Sequence, residues 1–170
     1  MTRRKVWFRG ILLIHAILSM LSVYHLPLFS EFLNTLLYSA VVGSAVALGL
    51  IGVKVGLLAA LITYMVSVLF SLINVGFAQA FLYWLGLLFE VGLTVLASCT
   101  FINQIRVEKI IVWTFISNFI AILTLATLEY GREPDYVFGV ILPWSTPHLL
   151  LSALMAPVFY FLYSSKIHQR

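Results

Sequence analysis

Charged side chains are scarce in this chain. Lys, Arg, Asp and Glu together make up 9% of its 170 residues, while hydrophobic residues make up 62%. Soluble domains carry about 25% charged residues, and a chain this short could not cover so much apolar side chain with its own surface. The composition therefore excludes a soluble domain. It predicts a single all-α domain over residues 1–170, a polytopic protein embedded in the lipid bilayer.

Cysteine and the usual catalytic pairs are also missing from the sequence. Cys99 is the single cysteine and lies inside an apolar run, so neither a disulfide nor a cysteine metal cluster is available. The sequence contains no paired aspartates, no His-x-x-x-His, no Ser/His or Ser/Lys arrangement with flanking glycines and no P-loop. We therefore expect a protein that is not an enzyme and needs no cofactor or metal. The net charge of +4 fits contact with anionic lipid and gives no reason to expect nucleic acid.

Long apolar runs are what the sequence has in abundance. Six of them are about as long as a bilayer requires, and we place them at 8–26, 33–51, 55–73, 80–102, 109–128 and 148–164. With six crossings, nine of the ten Lys and Arg residues fall on one side and only Arg132 falls on the other. The positive-inside rule then places both termini in the cytoplasm. We expect the protein in the inner or plasma membrane of the cell. Segment 129–147 is expected to be an outer loop, anchored at the interface by Tyr130, Tyr136 and Trp144.

One acid, Glu90, lies near the middle of the fourth run, where a charge costs at least a few kcal/mol. Four other runs carry a hydrogen-bonding side chain at about the same depth, so we expect one buried polar layer of Glu90, His15, Tyr64, Asn118 and Ser44. His15 is the only candidate cation for this acid, because Lys and Arg are absent at that depth and His148 falls at the end of a run. The layer is either a satisfied polar knot that fixes helix register, or a solute site or proton relay.

Small residues predict where helices pack closely, since they let backbones approach each other. They lie four residues apart at Gly43 and Ala47 on the second run, and the pattern continues across the turn at Gly52, Gly56 and Ala60. Gly86 shares a helical face with Glu90 and should let another helix come near the acid. Pro157 should kink the last helix, because proline lacks a backbone donor and crowds the preceding turn.

The closing stretch "ILPWSTPHLLLSALMAPVFYFLYSSKI" resembles the end of MreD, the rod shape-determining membrane protein family. A proline precedes the final helix in both, a second proline interrupts it, and a basic tail ends it. The chain length, the six runs, the basic start and the position of Glu129 are also similar. The resemblance implies a non-enzymatic scaffold that holds MreC-like and wall-synthesis membrane proteins during cell-wall elongation.

The stretch "GVKVGLLAALIT" resembles, in turn, the second-to-third turn of the S components of energy-coupling factor vitamin transporters. That resemblance implies a substrate-binding membrane subunit that joins an energy-coupling module. Segment 129–147 would then be a lid over a closed outer cavity, lined by Asn74, Tyr83, Trp84, Trp144 and His148. We expect the scaffold first. The S component stays as the alternative, because hydropathy does not separate the two families.

Overall fold

The structure is a computed structural model of a helical bundle. It describes the backbone of residues 3–23, 31–75, 77–131 and 133–168, and the side chains of 7–22, 32–69, 72, 85–128, 131 and 133–165. Every regular element in these residues is helical, which confirms the all-α prediction for the described part of the chain. In order, the elements are α1 Arg3–Val23, α2 Glu31–Ile51, α3 Val53–Val75, α4 Phe77–Phe101, α5 Val107–Tyr130, α6 Pro134–Tyr136, a π-helical turn Val137–Ile141 and α7 Leu142–His168.

Three stretches are long and apolar enough to cross a membrane, namely Phe32–Ile51, Val107–Leu128 and Pro134–Ser165. Three more are apolar but shorter over the described residues, namely Trp7–Ser22, Val53–Leu69 and Leu85–Phe101. Each of the six runs predicted from the sequence overlaps one of these stretches. The helices are thus compatible with a membrane, and the six-crossing topology stays a prediction.

The prediction that residues 129–147 form an outer loop is wrong for most of that segment. The chain is helical from Pro134 onward, and α6 and the π-helical turn lead directly into α7. Prolines usually interrupt helices, but Pro134 occupies the first position of α6, where a missing backbone N–H leaves no bond unmade. Pro147 and Pro157 both lie inside α7, which continues through them.

The central helix of the bundle is α2. It packs against α1, α3, α4 and α7, and each residue from 39 to 49 is buried. This stretch, "SAVVGSAVALG", is rich in small side chains, so four neighbouring helices can approach one backbone. A helix that is apolar all round is a core helix, and α2 therefore fixes where its neighbours lie.

Glycines make the closest of these approaches. A Cβ added at Gly43 would lie 2.8 Å from the Cβ of Met155 and 3.0 Å from the backbone nitrogen of Ala156 on α7. A Cβ added at Gly56 would lie 2.5 Å from the Cα of Gly49, so these two glycines bring α3 onto α2. Ala47 and Ala60 are buried in the same core, as is Pro157. Gly52 lies in the turn between α2 and α3, where an added Cβ would meet only the side chain of Val55, at 3.5 Å.

Candidate functional site

The buried polar side chains form two clusters, where the sequence predicted a single layer. The first, which we call the closed cluster, consists of His15, Ser19, Ser44, Thr63 and Tyr163. The second, which we call the cleft cluster, consists of Tyr38, Ser39, Glu90, Thr94, Asn118, His148 and Ser152. Two predicted members, His15 and Ser44, come together in the closed cluster. Glu90 and Asn118 come together in the cleft cluster, where both contact His148.

His15 organises the closed cluster and is fully buried. Its Nε2 lies 3.0 Å from the carbonyl oxygen of Ala59, which can only accept, so we assign the proton to Nε2. Its Nδ1 then accepts from the hydroxyl of Ser44, at 3.1 Å, and Ser44 accepts from the Tyr163 hydroxyl at 2.7 Å. This network satisfies a neutral imidazole on both sides and joins α1, α2, α3 and α7.

Glu90 lies at the meeting point of three helices in the cleft cluster. One carboxyl oxygen, Oε2, accepts a hydrogen bond from the Tyr38 hydroxyl of α2 at 2.9 Å. The other, Oε1, lies 3.2 Å from Nε2 of His148 on α7. The Glu90 side chain is 13% exposed and that of His148 is 9% exposed. The acid is therefore fixed by two partners but still reachable.

The far side of His148 is held by Ser39, whose Oγ lies 3.0 Å from Nδ1. The ring of His148 also lies against that of Tyr38, with 4.5 Å between centroids. Asn118 of α5 donates to Ser152 at 3.0 Å, and its amide nitrogen lies 3.3 Å from Nε2 of His148. Contacts from α2, α5 and α7 thus fix the position of the imidazole beside the acid.

A cleft of about 490 Å³ opens beside Glu90. Its described lining consists of Gly86, Glu90, Ile122, Leu125, Ala126, Leu128 and Ile141, so Glu90 is the one polar side chain among these residues. The lining comes from the first half of α4, the last turns of α5 and the π-helical turn. Chain connectivity places those segments at the same end of the bundle. Small-molecule sites are commonly apolar clefts of roughly 300–1,000 Å³ with a few fixed polar groups.

Gly86 lines this cleft, and no described helix approaches it closely. A Cβ added there would meet no described atom within 4 Å outside its own helix and chain neighbours. We had predicted a close helix approach at this position. The structure places open space there instead, because the nearest described walls are the α5 and π-turn side chains across the cleft.

The hydropathy pattern does not reveal His148 as the partner of Glu90, because the last apolar run starts at 148 and so places the imidazole at a helix end. Because the helix begins at Leu142 and the preceding turns are also helical, His148 lies inside the bundle and is buried. The signal that could have found it is Ser152, four residues later, which places a second polar group on the same face of an apolar helix.

The remaining predicted residues do not gather at this site. Tyr64 is buried on α3, but its hydroxyl does not hydrogen-bond to the described members of either cluster. Trp144 is 83% exposed and is not part of the described cleft lining. The side chains of Asn74, Tyr83 and Trp84 lie outside the described residues.

No protein-family model matches the chain, and neither the curated proteins nor the solved structures give a match.

Proposed function

We propose that this chain is an integral membrane protein that crosses the bilayer six times, with both termini in the cytoplasm. Three helices with the required length and three shorter apolar ones support it, as does the nine-to-one division of Lys and Arg. Reporter fusions after Lys5, Gly76, Asn103, Asp135 and Arg170 should read inside, outside, inside, outside and inside. A cytoplasmic reading at Asp135 would contradict this topology.

We propose further that the protein is not an enzyme and that it binds a ligand in the Glu90 cleft. The single observation that carries this proposal is a fixed carboxyl group in the wall of a cleft whose other described lining residues are apolar. Ionisable groups in membrane segments are costly and are by default functional. A purely structural acid would be enclosed by its partners, as His15 is; Glu90 retains a face toward open space.

The family that this proposal favours is the S components of energy-coupling factor transporters, which the second-to-third turn resembles. His148, which that reading placed at the ligand, is in contact with Glu90. The lid it required is replaced by the helical segment from Pro134 to Ile141, whose Ile141 forms part of the cleft wall. An energy-coupling module is the partner that this reading implies.

The MreD-like scaffold is the second candidate, and the surface of α7 favours it. The stretch Pro134–Ser165, which contains most of α7, has the lowest buried share of the three long apolar stretches, 28%. Its outward residues are Leu150, Leu154, Val158, Phe161 and Leu162. A partner's transmembrane helix could pack along this strip as lipid does, with MreC-like and wall-synthesis proteins as the partners that the resemblance implies.

The two candidates predict opposite results for purified protein in lipid nanodiscs. A ligand-binding subunit should be stabilised against heat by one member of a panel of water-soluble vitamins, by a few kcal/mol at saturation. The Gly86→Leu variant, whose added Cβ would meet no described atom within 4 Å outside its own helix and chain neighbours and whose side chain would occupy cleft space, should lose that stabilisation. A silent panel together with co-purification of MreC and wall-synthesis enzymes would favour the scaffold and overturn ligand binding.

A further inference from the structure

The hydrogen bonds around His148 fix the number of protons that it shares with Glu90. Ser39 has one hydroxyl proton, and its shortest contact is 2.6 Å to the carbonyl oxygen of Thr35, which can only accept. The Ser39 oxygen must therefore accept from Nδ1 of His148, at 3.0 Å. We assign a proton to Nδ1 on this basis, which leaves Nε2 as the atom that faces the acid.

One proton then lies between Oε1 of Glu90 and Nε2 of His148, which are 3.2 Å apart. If it is on the imidazole, the pair is a carboxylate and an imidazolium. If it is on the acid, both groups are neutral, and the amide of Asn118, 3.3 Å away, can donate to Nε2 as well. The pair has zero net charge in both forms. Without a proton between Oε1 and Nε2 two acceptors would face each other at 3.2 Å, and with a second proton two donors would.

Among the described lining residues of the cleft, Glu90 is the one that carries a titratable group, and the described acids of the α6 region, Glu133 and Asp135, are not among them. Among the described side chains, the titratable groups in contact with Glu90 are Tyr38 of α2 and His148 of α7. The contributions of α5 and the π-helical turn to the cleft wall are apolar. The neighbouring α3 carries Tyr64, and Lys54 at the opposite end of the bundle. A ligand that fits must therefore present an apolar body to the wall and one group to the carboxyl.

We propose that the cleft binds an amphiphilic organic cation, an ammonium group on an apolar body, in exchange for the shared proton. The inference rests on the proposed ligand-binding function and names its substrate class. On binding, the ammonium takes the place beside Glu90 Oε1, and the proton leaves for the solvent. The charges balance. The reactants are a cation and a neutral pair. The products are one free proton and a neutral complex of carboxylate, ammonium and uncharged imidazole.

Three probes with the same hydrocarbon body separate this proposal from its alternatives. Octylammonium, octanol and octanoate are titrated calorimetrically into wild-type protein in nanodiscs, in two buffers of different ionisation enthalpy, with empty nanodiscs subtracted. Octylammonium should bind with the release of about one proton, which appears as a binding enthalpy that changes with the ionisation enthalpy of the buffer. Octanol should bind more weakly and release none, and octanoate should not compete.

Two variants locate the effect. Glu90→Gln keeps the acceptor for Tyr38 and supplies an amide donor to Nε2 of His148, so the fold should survive while octylammonium affinity falls at least about tenfold and proton release disappears. Glu108→Gln, which changes an exposed acid at the far end of α5, is the matched control and should bind like wild type. Gly86→Leu should weaken octylammonium and octanol alike.

The outcomes distinguish failure of the substrate class from failure of the site. If octanol or octanoate binds as tightly as octylammonium, with no proton released and with loss in Gly86→Leu, ligand binding stands and the cation proposal falls. The same holds if octylammonium binding survives in Glu90→Gln. If none of the three probes shows binding that depends on Gly86, the cation proposal is overturned together with the cleft as its site, and the vitamin panel decides whether the protein binds a ligand at all.

Discussion

His15 and His148 are two histidines in apolar helices, and their surroundings differ in one respect that matters. Both rings have hydrogen-bond partners on both nitrogens. The partners of His15 are hydroxyls and a carbonyl in a fully buried cluster, so that the ring can serve only to join helices. The partner of His148 is a carboxyl group beside a cleft of about 490 Å³. A buried imidazole with neutral partners has a structural role, whereas an imidazole paired with an acid in the wall of an open cleft belongs to a candidate binding site.

The largest effect on stability is expected from the closed cluster. Replacing His15 by Leu removes the groups that join Ser44 of α2 to Thr63 of α3, and leaves buried polar atoms with fewer partners. We expect a loss of about 2–4 kcal/mol, measured as unfolding of the purified protein in detergent and SDS. A loss below about 0.5 kcal/mol, the usual range of surface substitutions, would show that this cluster does not hold the bundle together.

Two glycines provide the next comparison, at a packed seam and at the open cleft. Gly43→Ala places a Cβ 2.8 Å from that of Met155, and such overpacking costs about 1–3 kcal/mol. Gly86→Ala meets open space and should stabilise α4 by about 0.5–1 kcal/mol, because alanine restricts the unfolded chain. The same unfolding assay measures both. Equal destabilisation of the two variants would contradict the open cleft at Gly86.

At the acid itself, a substitution that removes the hydrogen bonds should have a moderate effect and one that keeps them a small effect. Glu90→Leu leaves the Tyr38 hydroxyl and Nε2 of His148 without the carboxyl, at a cost of about 1–3 kcal/mol. Glu90→Gln preserves both hydrogen bonds and should cost less than about 1 kcal/mol. A large loss in Glu90→Gln would mean that the charge of the carboxylate, rather than its hydrogen bonds, holds the three helices together.

The sequence was sufficient to predict most helices, because five of the six apolar runs are bounded by charged, polar or glycine-containing turns such as "GVKVG". It also singled out Glu90, His15, Ser44 and Asn118 as polar groups inside apolar helices. It could not show that these residues divide into two clusters, because depth along a helix does not specify the direction in which a side chain points. Nor could it show the cleft, which depends on how far α5 diverges from α4 at Gly86.

Sequence rules do not predict that residues 134–147 are helical, and the reason is physical. Residues 134–147 contain three prolines, a glycine and an acid, and such residues usually interrupt helices. Here Pro134 occupies the first position of α6, Pro147 lies inside α7, and the glycine lies in the π-helical turn between these helices. Such turns are frequent at functional sites. Ile141, the last residue of that turn, forms part of the cleft wall, so the segment that local rules favour as a loop helps to build the site.

The central claim is that the carboxyl group of Glu90 can be reached from the cleft, and chemical labelling tests it most directly. Dicyclohexylcarbodiimide, an apolar reagent that reacts with protonated carboxyl groups, is added to the protein in nanodiscs, and the modified fraction at residue 90 is measured by mass spectrometry. We predict labelling of Glu90 in the wild type and a clear reduction in Gly86→Leu, whose added side chain fills the cleft. Absence of labelling, or equal labelling in both proteins, would contradict the account.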